Sequence, residues 1–172
     1  MRTRRLELVA MTLPLVEAEL VSSAQLGVHL EATVPPAWPP GEYDRDALEF
    51  FRRKFVEEGR SELDWCSFYV IAREHEGMQR VLVAAAGYHG PPDDAGDIEL
   101  GYSVVEDARG RGYAIETVLA LIENALASPI VKRVVANTSD ANPASIAVLE
   151  KCGFVRKRGV GEPDSIRFER MK

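Results

Sequence analysis

The chain predicts an α+β domain built on one mixed, mostly antiparallel twisted sheet of about six to seven strands, with helices on both faces. Three observations predict it. Strand-like stretches at 66–73, 79–88 and 98–105 follow one another through short polar turns, as in a meander. After them strand, helix, strand, helix and strand alternate to the C-terminus. The unbroken Val81-Leu82-Val83-Ala84-Ala85-Ala86 run suits a central strand covered on both sides. At 172 residues, 46% hydrophobic and 28% charged, with no repeat and no dividing linker, residues 1–172 read as a single domain.

Each element has its own warrant. Leu6, Leu8 and Ala10 alternate with Arg5, Glu7 and Val9 in a first strand. Thr12 can cap a helix whose first turn holds Pro14, where the missing N–H costs nothing. Leu13, Val16 and Leu20 give it an apolar stripe, and a second helical piece covers Ser23 to Glu31, weakened by Gly27. Val34 to Gly41 carries four prolines, so it is neither helix nor sheet interior but a stiff loop holding Trp38. Trp38 either lines a substrate entrance or pins the loop to the core. Asp44 to Glu58 places Leu48, Phe51 and Phe55 on one helical side, and Gly59 ends it. Cys66–Arg73 and Gln79–Tyr88 are strands joined at His75-Glu76-Gly77; His29 and His75 read as surface or loop residues. Gly90-Pro91-Pro92-Asp93-Asp94 turns the chain into the strand Ile98–Val105. A helix from Ala114 repeats Ile115, Val118, Leu119, Ile122 and Leu126 at helical spacing. After the strand Arg133–Asn137, Asn142 caps a helix with Pro143 in its first position and Gly153 at its stop. Phe154–Arg158 and Ser165–Arg170 pair across Gly159 to Pro163.

Composition excludes several function classes. A formal charge of −6 argues against direct nucleic-acid binding by phosphate neutralisation, and mildly favours a cationic partner such as an amine. Cys66 and Cys152 have no metal-ligand or redox spacing, so no metal is expected and buried thiols are the default. The basic N-terminus is interrupted at once by Glu7, unlike a signal peptide, and no apolar run approaches membrane-spanning length. A cytoplasmic protein, monomer or homodimer, is expected.

The stretch with chemistry in it is Arg109-Gly110-Arg111-Gly112-Tyr113-Ala114, between a strand and a helix. Its glycines keep side chains away from the backbone, and the amides opening the helix lack intrahelical partners at the positive end of its dipole. Such a turn suits phosphate. It is not a Rossmann fingerprint, since Ile115 stands where the third glycine belongs, and Gly-Lys-Ser/Thr of the Walker loop occurs nowhere. What remains is Arg-x-x-Gly-x-Ala, filled by Arg109, Gly112 and Ala114. Downstream stands Asn142-Pro143-Ala144-Ser145, followed by Glu150-Lys151-Cys152-Gly153-Phe154.

In these two motifs the chain resembles the GNAT superfamily of acyl-CoA-dependent N-acetyltransferases. The resemblance covers nearly the whole chain and is specific from Ile98 to Phe154. It implies a splay between two central strands and acetyl-CoA as acyl donor. It implies that the amides of Gly110, Arg111, Gly112, Tyr113 and Ala114 hold the pyrophosphate, with charge from Arg109, while Arg111 is either a second phosphate contact or surface charge. Val104 pairs with the pantetheine arm, and Asn142 contacts that arm, caps its helix, or both. Glu99, sharing a face with Gly101 and Ser103 by period two, is the expected general base, with its pKa raised by a partly dry cleft. Its structural alternative is a half-exposed carboxylate paired with an Arg. Tyr88 and His89 are the alternatives nearby, and with Trp38 they are the expected substrate-side residues.

One position departs from the pattern. Many members carry a tyrosine that protonates the leaving thiolate where this chain has Leu149; either Ser145 assists or no acid is positioned. That feature resembles most the branch acetylating ribosomal-protein alanines, which points to a primary amine on a protein N-terminus or a small molecule as acceptor. A non-catalytic CoA-binding module, a ribosome-associated regulatory module and a transferase of longer acyl groups are the other readings.

Overall fold

The computed structural model describes residues 1–41, 43–58, 65–157 and 165–172. The expected helix stop at Gly59 and the turn Gly159–Pro163 lie outside the described residues. Among the described residues seven strands form the sheet: β1 Leu6–Ala10, β2 Ser67–His75, β3 Met78–Tyr88, β4 Asp97–Val104, β5 Arg133–Thr138, β6 Val155–Lys157 and β7 Ile166–Met171. Their spatial order is β1-β2-β3-β4-β5-β7-β6, antiparallel throughout except for the β4–β5 pair. Among the described residues five α-helices join them: α1 Leu13–Val21, α2 Ser23–Leu30, α3 Arg45–Glu58, α4 Tyr113–Ala127 and α5 Pro143–Lys151. The α+β fold expected from the chain is the one observed.

Register assigns the two helical layers. Tyr88 lies opposite Leu100, and its hydroxyl donates to the carbonyl of Leu121, so α4 covers that face. Val118, Leu121, Ile122 and Ala125 of α4 are buried there; each of the larger ones contributes roughly 1.5–3 kcal/mol through lost apolar exposure. Tyr69, Ala85 and Ser103 line up on the other face, where the Tyr69 hydroxyl meets Glu19 of α1.

Glu19 was not legible as a core residue. Its carboxylate is buried and accepts from Trp38 Nε1 at 2.5 Å, Tyr69 Oη at 2.5 Å and Tyr43 Oη at 2.9 Å. Burial raises its pKa against the opposing pull of those donors. Trp38 therefore pins the proline-rich loop to the core.

Local starts and stops mostly follow the sequence. Asn142 caps α5, accepting from the Ser145 amide at 3.0 Å, and Asp44 caps α3 through the Ala47 amide. Thr12 stands before α1 but its side chain makes no cap bond; Ser22 instead caps α2. His75 corrects the surface expectation: it is buried, with Nδ1 3.3 Å from the Tyr113 hydroxyl. The turn residues that follow it conceal this in sequence. Among the described residues, no helix is long and apolar enough to cross a membrane.

Candidate active site at the β4–β5 splay

β4 and β5 run parallel but pair only at Asp97–Arg133, Ile98–Val134 and Glu99–Val135. Beyond that they part. The Glu99 carbonyl and the Val105 amide are both bonded toward β3, so the even residues Leu100, Tyr102 and Val104 turn their backbone groups to the gap. The gap opens into a cleft of about 640 Å³ lined by both strands, the start of α5 and, on the α1 side, Tyr43 and Phe51. A smaller bay of about 230 Å³ adjoins it, lined by His89, Glu99, Asp97 and Arg167 among others.

At one end of the cleft the chain leaves β4 through a 3-10 turn, Glu106–Ala108, and bends at Gly110 (φ +74°) and Gly112 (φ +79°) into α4. Those angles favour glycine. A Cβ at Gly110 would meet nothing within 4 Å, so the space beside the bend is open. The amides of Gly110 to Ala114 have no acceptor among the described residues. Unpaired donors, open space and the positive end of a helix together fit a pyrophosphate.

The bend is braced by the segment that leads into β1. Glu116 accepts from Thr3 Oγ1 at 2.5 Å, the Arg5 amide at 2.8 Å and Arg5 Nε at 2.7 Å. Burial opposes its ionisation, yet these bonds leave its pKa lowered. Arg5 also donates to the Arg111 carbonyl at 2.9 Å and lies 4.9 Å from the centre of the Tyr113 ring. The two arginines of the motif differ. Arg109 lines the cleft and donates through Nε to the Val104 carbonyl at 3.2 Å, whereas Arg111 is ion-paired with Glu76.

At the other end stands a dyad. His89 Nδ1 lies 3.3 Å from Glu99 Oε1, and Asn137 Nδ2 donates to the same oxygen at 2.8 Å. The His89 ring packs on the bare Gly101: a Cβ there would lie 2.8 Å from Nε2. With Nδ1 turned to the carboxylate, Nε2 is the nitrogen left for the cleft. The expected direction of the Glu99 shift is reversed: the His89 hydrogen bond lowers its pKa, and burial does not overcome this. The same bond raises His89 above its ordinary 6.5.

The structure thus brings His89, Arg109, Asn142 and Ser145 to one cleft, with Glu99 behind His89. It does not bring Trp38 or Tyr88 there; both are buried, Trp38 on Glu19 and Tyr88 beneath α4. The Tyr113 ring is buried against His75, which leaves its amide as the group at the bend. Leu149 lines the cleft wall and is fully buried. Sequence reasoning missed Tyr102, whose hydroxyl lies 3.0 Å from Ser145 Oγ, because period two assigns its side chain simply to the apolar face. It also missed Tyr43 and Asn137; an aromatic just past the proline loop and an amide at a strand end were the available signals.

Among the described residues, no group of His, Cys, Asp and Glu could hold a metal ion. The chain is 28% identical over 155 residues to the uncharacterized N-acetyltransferase YjdG of Bacillus subtilis, covering 90% of this chain and 89% of that one. It superposes on a spermidine N-acetyltransferase from Vibrio cholerae bound to CoA and spermine (TM-score 0.67, 15% identity, 98% and 96% coverage). It also superposes on RimL, a ribosomal L7/L12 α-N-protein acetyltransferase bound to coenzyme A (TM-score 0.64, 15% identity, 98% and 95% coverage). At those identities the solved structures share the fold. The Acetyltransferase (GNAT) domain matches residues 9–155, and the chain accordingly belongs to the GNAT family of acetyl-CoA-dependent acetyltransferases.

Proposed function

We propose that the protein transfers the acetyl group of acetyl-CoA directly to a primary amine, on a protein N-terminus or a small molecule, with His89 as the general base. The observation that carries this reading is the His89–Glu99 pair at the wall of a cleft whose far end is the unpaired-amide bend. Glu99 is the positioning residue in this scheme. Its lowered pKa makes it a weak base at neutral pH, whereas an imidazole raised above 6.5 is matched to the task. Glu99 fixes Nδ1 as the protonated nitrogen and stabilises the imidazolium once Nε2 has taken the amine proton. The gap-facing backbone of Leu100, Tyr102 and Val104 pairs with the pantetheine arm as an added strand would. One of those amides is within the same edge to receive the carbonyl oxygen as charge develops on it.

Arg109 supplies charge to the phosphates by exchanging the Val104 carbonyl for a phosphate oxygen. Arg109→Ala is therefore expected to weaken acetyl-CoA binding about tenfold, the loss of one charge-assisted bond. Arg111→Ala should change it less than about twofold, because that guanidinium already has Glu76. Titration calorimetry with coenzyme A separates the two, and equal losses would reinstate Arg111 as a phosphate contact. The reading as a whole is tested by screening a panel of peptide N-termini, amino acids and polyamines for free-thiol release from acetyl-CoA. Amine-dependent release with formation of the acetylated amine supports it; release that is independent of every amine overturns it.

A further inference from the structure

We infer that Tyr102, held by Ser145, is the acid that protonates the departing thiolate. This rests on the N-acetyltransferase reading above. Tyr102 sits on β4 one residue beyond Gly101, so its side chain leaves the strand on the face opposite the one where the His89 ring packs. The base and this hydroxyl therefore flank the same strand from its two faces. The Tyr102 hydroxyl lies 3.0 Å from Ser145 Oγ and 3.4 Å from the Ser145 carbonyl, at the first turn of α5. Ser145 is itself fixed, because Asn142 accepts from its amide at 3.0 Å. Both residues line the cleft, beside the fully buried and protonless Leu149.

The chemistry balances. As the amine nitrogen bonds to the acetyl carbon, its proton goes to His89 Nε2. When the carbon–sulfur bond breaks, its electron pair stays on sulfur, and the Tyr102 hydroxyl gives that sulfur a proton. Ser145 Oγ–H turns its hydrogen bond to the phenolate so formed. Solvent then returns a proton to Tyr102 and removes one from His89. Burial pushes the Tyr102 pKa up while the Ser145 bond pulls it down, so the phenol is protonated at the start of every turnover at neutral pH.

The test uses the full chain with acetyl-CoA and an amine the wild type accepts. Tyr102→Phe keeps the ring and removes the proton. It is expected to lower kcat about a hundredfold, to change the KM for acetyl-CoA less than about twofold, and to abolish the alkaline limb of the pH–rate profile. Ser145→Ala is expected to move that limb to higher pH, since the phenolate loses its hydrogen bond, and serves as the test if Tyr102→Phe does not fold. A Tyr102→Phe enzyme with kcat within twofold of wild type, or an alkaline limb unmoved in Ser145→Ala, overturns the inference while leaving the transferase intact. A wild type that releases no thiol with any amine overturns the proposed function, and this inference with it.

Discussion

Gly112→Asp is expected to weaken coenzyme A binding by at least about a hundredfold, which is about 2.7 kcal/mol. Two effects add. At φ +79° any Cβ is strained, by roughly 1–2 kcal/mol, and relieving that strain tilts the amides of the bend away from a common focus. On the proposed binding mode the carboxylate also adds a negative charge close to two phosphates. At a separation of about 5 Å and an effective dielectric of about 20, each unit of like charge costs about 3 kcal/mol. The new Cβ lies 3.3 Å from Arg5 Nη2, so the aspartate competes with Glu116 for the arginine that braces the bend. Gly110→Ala is the comparison, because its Cβ meets nothing within 4 Å and adds no charge; a loss of about tenfold or less is expected from strain alone. Calorimetry with coenzyme A, beside melting curves to verify folding, reads both. Undiminished affinity in Gly112→Asp would mean the nucleotide tail lies elsewhere.

The second large effect is on turnover. His89→Asn should lower kcat by about 10²–10⁴, the usual contribution of a positioned base, with acetyl-CoA affinity nearly unchanged. The pH profile identifies which group is titrating. The imidazole is active when neutral, so the rate rises with pH through its pKa, and Glu99 raises that pKa above 6.5. Glu99→Gln removes the negative partner and returns the pKa downward, so the acid limb moves to lower pH while the maximum falls through lost orientation. Were Glu99 itself the base, the limb would lie below pH 4.5 in the wild type, because its pKa is lowered from that value, and would vanish in Glu99→Gln. A limb that persists unshifted in His89→Asn removes the imidazole from the mechanism.

What could be read from the chain, and what could not, divides by distance along it. The glycine bend, the Asn142-Pro143 start and the buried β3 are local, dictated by neighbours within one turn or one strand, and the structure has them where the residues indicated. The dyad is not local. His89 and Glu99 meet only because the β3–β4 register sets Gly87 against Gly101, and that register also sends Tyr88 to the α4 face and His89 to the other. Without it, desolvation looked like the dominant influence on Glu99; with it, a hydrogen bond from the imidazole is larger. The choice between the two readings of Trp38 is non-local too, since the side chain it meets is Glu19 of α1. Glu19, one of two glutamates in α1, carries no local sign of burial; two tyrosines and an indole from distant segments converge on it.

The scarcity of rungs between β4 and β5 bears on cohesion as well as chemistry. Three matched residue pairs join a four-stranded half-sheet to a three-stranded one, leaving a seam across the middle of the domain. A guest laid along that seam, bonded to main chain on its flank, splices the halves and becomes temporary scaffolding. On the proposed binding mode, occupancy and mechanical integrity become two readings of one quantity: the protein is expected to be sturdiest while loaded and to slacken when its spent carrier departs.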